Sequence, residues 1–191
     1  MNQQDDILSL TRFGSGDKSA FDELYHKYKG RILNYLFRMV NDSSLAEELT
    51  QETFIKVYLN IDQYRPFGSF SSWVYAIARN LAKNEFRRTD RRRTISMETP
   101  IAGHEDLTLK DVIASKQMNA QDIISEAETT AQVEKILNTI PAKYREVIVL
   151  CVIQGESYAT AAEIIGCSKS VIAIRLFRAR KYFNRSIAPL G

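Results

Sequence analysis

Apolar residues recur along this chain at three- and four-residue intervals, in blocks separated by short polar or Gly/Pro breaks, which is the period of helices and not of strands. Residues 5–13 form a short amphipathic segment that breaks at Gly14-Ser15-Gly16-Asp17. Over residues 19–40, Phe21, Leu24, Tyr25, Tyr28, Ile32, Leu33, Tyr35, Leu36 and Met39 keep the helical period. Asn41-Asp42-Ser43-Ser44 reads as a turn and N-cap cluster, followed by a helix over 45–60 whose apolar positions are Leu49, Phe54, Val57 and Tyr58. Pro66 and Gly68 exclude regular helix from 61–70. The stretch around which the rest is organised is 71–93, SSWVYAIARNLAKNEFRRTDRRR. Its two serines are of the type that caps a helix, and Trp73, Ile77 and Leu81, widened by Val74 and Ala78, make one packing stripe.

After Arg93 the period dissolves. Residues 94–119 mix Thr, Ser, Pro100, Gly103 and Asp and read as a linker with one weak helix at 107–114. Structure resumes near Asp122, where Ile123 and Ile124 lead into a helix completed by Val133, Ile136, Leu137 and Ile140 before Pro141. AKYREVIVLCVI, at 142–153, is apolar enough to centre a small domain. A short helix over 157–165 then breaks at Gly166-Cys167-Ser168, and Ser168 is placed to cap a last helix over 169–186. Its stripe is Ile172, Leu176, Ala179 and Phe183. The expected architecture is all-α: two small helical domains joined by a flexible linker, the second containing a helix-turn-helix.

Composition narrows the classes. A chain of 191 residues with 45% hydrophobic residues can build one or two cores, and its net charge of only +3 argues against nonspecific coating of nucleic acid. No run is long enough for a membrane span, and the acidic start MNQQDDILSL is unlike a signal peptide, so a cytoplasmic location is expected. Cys151 and Cys167 have no CxxC or His companion, and His26 and His104 stand alone; buried thiols are expected, with no metal site and no cofactor. No Gly-rich phosphate loop, nucleophile elbow or paired-carboxylate constellation is visible, which points away from an enzyme and from a small-molecule substrate.

The charge is segregated, and that segregation carries the functional reading. Arg79, Lys83, Arg87, Arg88, Arg91, Arg92 and Arg93 accumulate toward the end of 71–93 against only Glu85 and Asp90, with Trp73, Tyr75, Phe86, Asn80 and Asn84 among them. Cations hold phosphates, rings stack on unpaired bases and amides bond base edges; a solvated basic helix end is the plain alternative. Glu47, Glu48 and Glu52 load the helix before it with acid, which suits either the helix dipole or a basic partner helix. Tyr64, Phe67 and Phe70 lie in the 61–70 segment beside Arg65, fit for an unstacked base or for packing under the loop itself. In the last helix Arg175, Arg178, Arg180, Lys181 and Arg185 face no acid, and a helix, a Gly turn and a longer basic helix make the pattern whose second helix enters the major groove.

Taken in order, AEELTQETFIKVYLN, FGSFSSWVYAIARNLAKNEFRR, a linker, IPAKYREVIVL and GESYATAAEIIGCSKSVIAIRLFRARKYF resemble bacterial RNA polymerase sigma factors of the extracytoplasmic-function group, the sigma-E-like branch above all. The resemblance covers nearly the whole chain. It implies a sigma-2-type domain over 1–93, a linker over 94–126 and a sigma-4-type domain over 127–191. It implies that Glu48, Gln51, Glu52 and Phe54 grip the clamp coiled coil of core RNA polymerase. Arg65, Phe67, Ser69 and Phe70 would then line the pocket for a flipped base of the −10 element, with Trp73, Asn80, Lys83, Arg87 and Arg88 along the melted strand of promoter DNA. Lys169, Ser170, Arg175, Phe177, Arg178 and Lys181 would serve −35 recognition. An anti-sigma factor, possibly membrane-bound, and control by envelope stress are implied as well.

The chain departs from that family at Ala173 and Ile174, where a basic then a small polar residue is usual, at Cys151, often Arg or Lys, and at Ala159-Thr160-Ala161, which replaces an acidic pair and Ile. Two readings from other classes make different demands. A free-standing helix-turn-helix repressor needs a dimerisation surface and no acidic helix. A strand-transfer or invertase-type enzyme needs a nucleophilic Ser or Tyr beside clustered Arg or paired carboxylates.

Overall fold

The computed structural model describes residues 3–61, 64, 68–94 and 130–187, with side chains of the fourth helix described as far as Arg88. Every regular element among them is helical. Four helices form the N-terminal domain: α1 (Gln3–Gly14), α2 (Ser19–Val40), α3 (Ser43–Asn60) and α4 (Phe70–Thr94). The C-terminal domain has α5 (Thr130–Thr139), α6 (Ala142–Ile148), a π-helical turn (Val149–Ile153), α7 (Tyr158–Ile165) and α8 (Lys169–Ile187). The expected linker helix at 107–114 and the lead-in at Ile123 and Ile124 lie outside the described residues.

The helical period read from the sequence becomes the packing. Leu24, Tyr28, Ile32, Tyr35, Leu36 and Met39 of α2 are buried against Ala46, Leu49, Phe54 and Val57 of α3 and Val74, Tyr75, Ala78 and Leu81 of α4. Burying one such large side chain contributes roughly 2 kcal/mol, whereas an exposed ion pair contributes about 0.5 kcal/mol. The apolar stripes, not the surface charges, therefore fix how these helices meet. Two hydroxyls inside this core are satisfied locally: Thr50 and Thr53 donate to the carbonyls of Ala46 and Leu49, each at 2.7 Å. α1 is held differently, by Lys27 on Asp6 at 2.5 Å, the Tyr28 hydroxyl on Asp6 at 2.6 Å, and Arg12 bridging Asp17 and Glu23.

Helix boundaries follow their caps. Asp42 accepts from the N–H of Leu45 and starts α3, two residues before the expected start. α4 is capped by Ser69, whose Oγ accepts from the Ser72 N–H at 3.0 Å, so Ser71 and Ser72, read as caps, instead sit buried in the first turn. The single helix expected over 142–153 turns π-helical for its last five residues, with the Gln154 N–H reaching back to the Val149 carbonyl. That widened turn ends the helix and sends Gln154, Gly155 and Glu156 toward the N-terminal domain; Gly155 takes φ +68, where a side chain would be strained.

Candidate nucleic-acid and polymerase interfaces

Three surfaces carry the residues singled out by the sequence. On α3, Glu47, Glu48 and Gln51 are exposed and Glu52 is half-buried, with Lys56 folded back on Glu52 at 3.4 Å. Phe54 is 4% exposed and packs edge-on to Tyr25, with ring centroids 4.9 Å apart, so it supports this face from beneath. Beside the acid lies a feature the sequence reading passed over. Phe21, Tyr25, Gln51, Phe54, Ile55, Tyr58 and Leu59 line an open groove of about 430 Å³. Ile55 is 57% and Leu59 70% exposed. Gln51, Ile55 and Leu59 stand one helical turn apart, and that i, i+4 spacing on the face away from Leu49 and Val57 was the available signal. Isolated exposed apolar residues are ordinary; a contiguous groove of them rimmed by carboxylates marks an interaction site.

The second surface runs along α4. Asn80, Lys83, Asn84, Arg87 and Arg88 are exposed, Arg88 resting on Glu85 at 3.3 Å. Because they sit at helical spacing, Asn80, Lys83, Asn84 and Arg87 form one polar, cationic strip, the arrangement needed to track a phosphate backbone with amides close to it. Arg65 and Phe67 fall outside the described residues. Ser69 is the half-buried cap, and Phe70 is the first residue of α4, 1% exposed. Trp73 is half-buried with its ring 5.4 Å from Tyr64 and 5.8 Å from Phe70. Tyr64 in turn donates its hydroxyl to the Gly68 carbonyl at 2.8 Å. The segment is thus packed under its own aromatics. Tyr75, read with the stacking residues, is fully buried and turned inward.

The third surface is the helix-turn-helix. Ser157 caps α7 by accepting from the Thr160 N–H at 3.0 Å, and Gly166 closes it at φ +75, the left-handed conformation that glycine adopts without penalty. The turn aims α8, whose Ile172, Leu176, Ala179 and Phe183 are all buried, as their spacing predicts. Lys169, Ser170, Phe177 and Lys181 are exposed on the outer side. Arg178 is half-buried and donates to the Tyr144 hydroxyl at 3.4 Å, while Arg175, with the half-buried Ala173 and Ile174 just before it, lines a cleft facing the N-terminal domain.

Neither cysteine sits in reactive surroundings of the kind that lower a thiol pKa. Burial, with the nearby Glu156 charge, pushes the Cys151 thiol up to about 12, which keeps it protonated and inert. Among the described residues no group of His, Cys, Asp and Glu could hold a metal ion, and no helix is long and apolar enough to cross a membrane.

Comparison with known proteins accounts for all three surfaces together. Residues 24–92 match the family model described as Sigma-70 region 2, and residues 130–183 the one described as Sigma-70, region 4. The RNA polymerase sigma-H factor of Pseudomonas aeruginosa is 31% identical, the match covering 100% of this chain and 97% of that one. The ECF RNA polymerase sigma-E factor of Haemophilus influenzae is 29% identical, over 98% of both. In fold the chain is similar to CnrH, solved in complex with the cytosolic domain of CnrY, with a TM-score of 0.70 at 21% identity over 98% of this chain and 99% of that one. The demands of a free-standing repressor or a strand-transfer enzyme are set aside by this family match along the chain. The protein belongs to the sigma-70 family, in its extracytoplasmic-function group: a non-catalytic transcription initiation factor that directs RNA polymerase to promoters.

Proposed function

We infer that the groove and acid of α3 form the dock for core polymerase, that α4 follows the melted −10 strand, and that the outer face of α8 reads the −35 element. The observation that carries this is the α3 surface. Ile55 and Leu59 are exposed beside Glu48, Gln51 and Glu52, an apolar seat with an anionic rim that suits an amphipathic, basic helical partner. On this reading Glu48 and Glu52 steer and orient the partner while Leu59 and Ile55 supply the buried contact, the division of labour expected at the rim and centre of an interface. Arg65 and Phe67, with Ser69 and Trp73, would take the flipped base; Asn80, Lys83, Arg87 and Arg88 would hold the strand. Lys169, Ser170, Phe177 and Lys181 present directly to a duplex, and Arg175 and Arg178 join them as phosphate contacts. Domain limits near residues 93 and 127 fit this division.

A cytoplasmic site of action, an anti-sigma factor as regulator and envelope-stress genes as targets complete the reading. The sigma-E relatives and the neighbour solved with the cytosolic domain of CnrY support those three points. A pull-down with core polymerase tests the dock. Glu48→Lys with Glu52→Lys, or Leu59→Asp alone, is expected to lose capture while keeping the wild-type melting curve. Undiminished capture by both folded variants would remove the assignment of this face.

A further inference from the structure

The two domains meet across a seam that is polar at its centre. Glu146 of α6 is 6% exposed and accepts from two groups of the N-terminal domain, Arg79 Nε at 2.7 Å and the Tyr35 hydroxyl at 3.1 Å. The loop after the π-turn makes a second cluster. Arg31 donates to the Gln154 carbonyl at 2.6 Å and to Glu156 at 3.1 Å, Ser71 donates to the same Glu156 oxygen at 3.1 Å, and the Tyr75 hydroxyl donates to the Gln154 side chain at 3.2 Å. Gln154 returns a bond to Asn34 at 3.0 Å. Glu146 and Glu156 thus find their cations in the other domain, across more than sixty residues of chain.

We propose that this seam is an autoinhibitory latch: the free chain rests closed, with its own C-terminal domain covering the nucleic-acid face of α4, and must open before it can hold a promoter. Three observations lead there. First, closure takes DNA-facing cations out of use. Arg79 is spent on Glu146, and Lys83 and Arg175, one from each basic helix, line the same cleft of about 240 Å³, too small to admit a duplex. Second, the bonds are of a kind that can open. Carboxylates, guanidiniums and amides return to water on separation, whereas an obligate interface is apolar, so a polar inter-domain seam is built for relative motion. Third, on the promoter reading proposed above, the −10 and −35 elements lie about 25 steps apart, about 85 Å of duplex at 3.4 Å per step, which two domains in contact cannot span.

The latch is tested on the full-length chain by small-angle X-ray scattering, paired with binding of a short fluorescent duplex of arbitrary sequence at low salt. This readout depends on cationic surface and not on −35 specificity. Glu146→Gln with Glu156→Gln removes the charge at constant shape and leaves Arg79 and Arg31 facing uncharged partners. Arg31→Ala breaks the seam from the other domain. Wild type is expected to scatter as the closed structure does. Both variants should have a larger radius of gyration, unchanged helical circular dichroism and tighter duplex binding. If about nine molecules in ten are closed, release raises apparent affinity about tenfold. The proposal is overturned if wild type is already extended, if the folded variants remain as compact as wild type, or if they expand without gaining affinity for the duplex. Loss of helical signal in both variants would equally overturn it, since the seam would then be part of one inseparable core.

Discussion

The outer face of α3 and the seam between the domains are opposites. The first leaves Leu59 and Ile55 in water beside carboxylates; the second hides Glu146, Arg79, Tyr35 and Gln154 from it. Exposed apolar surface is unfavourable until something covers it, so the α3 groove implies a partner that is absent from the free chain. Buried, paired charge is close to break-even against solvation, so the seam specifies one geometry without committing the chain to it. One surface waits for a partner, and the other holds a partner it can release. Together they describe a protein that changes its contacts on assembly.

The contrast can be broken most severely from inside the core. Ile32→Ala, at a fully buried position of α2, should cost about 2–5 kcal/mol and lower the melting temperature well beyond any surface change, because it leaves a cavity as well as losing transfer energy. Leu59→Asp should cost about 2 kcal/mol in polymerase capture, with stability unchanged, as measured by titration beside a thermal melt. Tyr35→Phe removes only the hydroxyl that reaches Glu146 and should weaken closure by about 1 kcal/mol, readable as a small increase in scattering radius. An Ile32-sized loss from Tyr35→Phe would place the seam within the core and erase the distinction.

The smallest effect concerns Cys151. Its folded pKa of about 12 lies above the ordinary 9.0, so between those values the unfolded chain binds fewer protons than the native one. Stability should therefore be level below about pH 9 and fall as pH rises through that window. Below it, Cys151 should react with a thiol reagent far more slowly than the half-buried Cys167, which mass spectrometry of the modified sites would report.

Much of this was legible in the residues. The α8 stripe of Ile172, Leu176, Ala179 and Phe183 and the Gly166 turn follow from period and glycine alone, because a helix-turn-helix is fixed by local rules. The order of the sequence motifs also carried the family. What escaped reading depended on tertiary neighbours. Tyr75 and Phe70 are apolar residues beside cations, and only the packing of α2 against α4 shows them buried rather than presented to bases. Ser69 displaced Ser71 and Ser72 as cap because the chain begins its turn one residue earlier than the hydrophobic stripe suggests. The π-turn has no local signature, and the pairing of Glu146 with Arg79 crosses 67 positions of sequence, beyond any periodicity argument. The α3 groove was hidden for another reason: Ile55 and Leu59 read as ordinary helix positions unless their exposure is known.

The most direct test of the account is the inter-domain distance in the same chain, free and with core polymerase. Fluorophores placed through unnatural residues at Lys29 on α2 and Asn184 on α8, both exposed, would report it by single-molecule energy transfer. The account predicts one compact population for the free chain, replaced by an extended one when core polymerase binds and unaffected by polymerase in Leu59→Asp. A distance that is already long in the free chain, or that stays short while polymerase is bound, would contradict it.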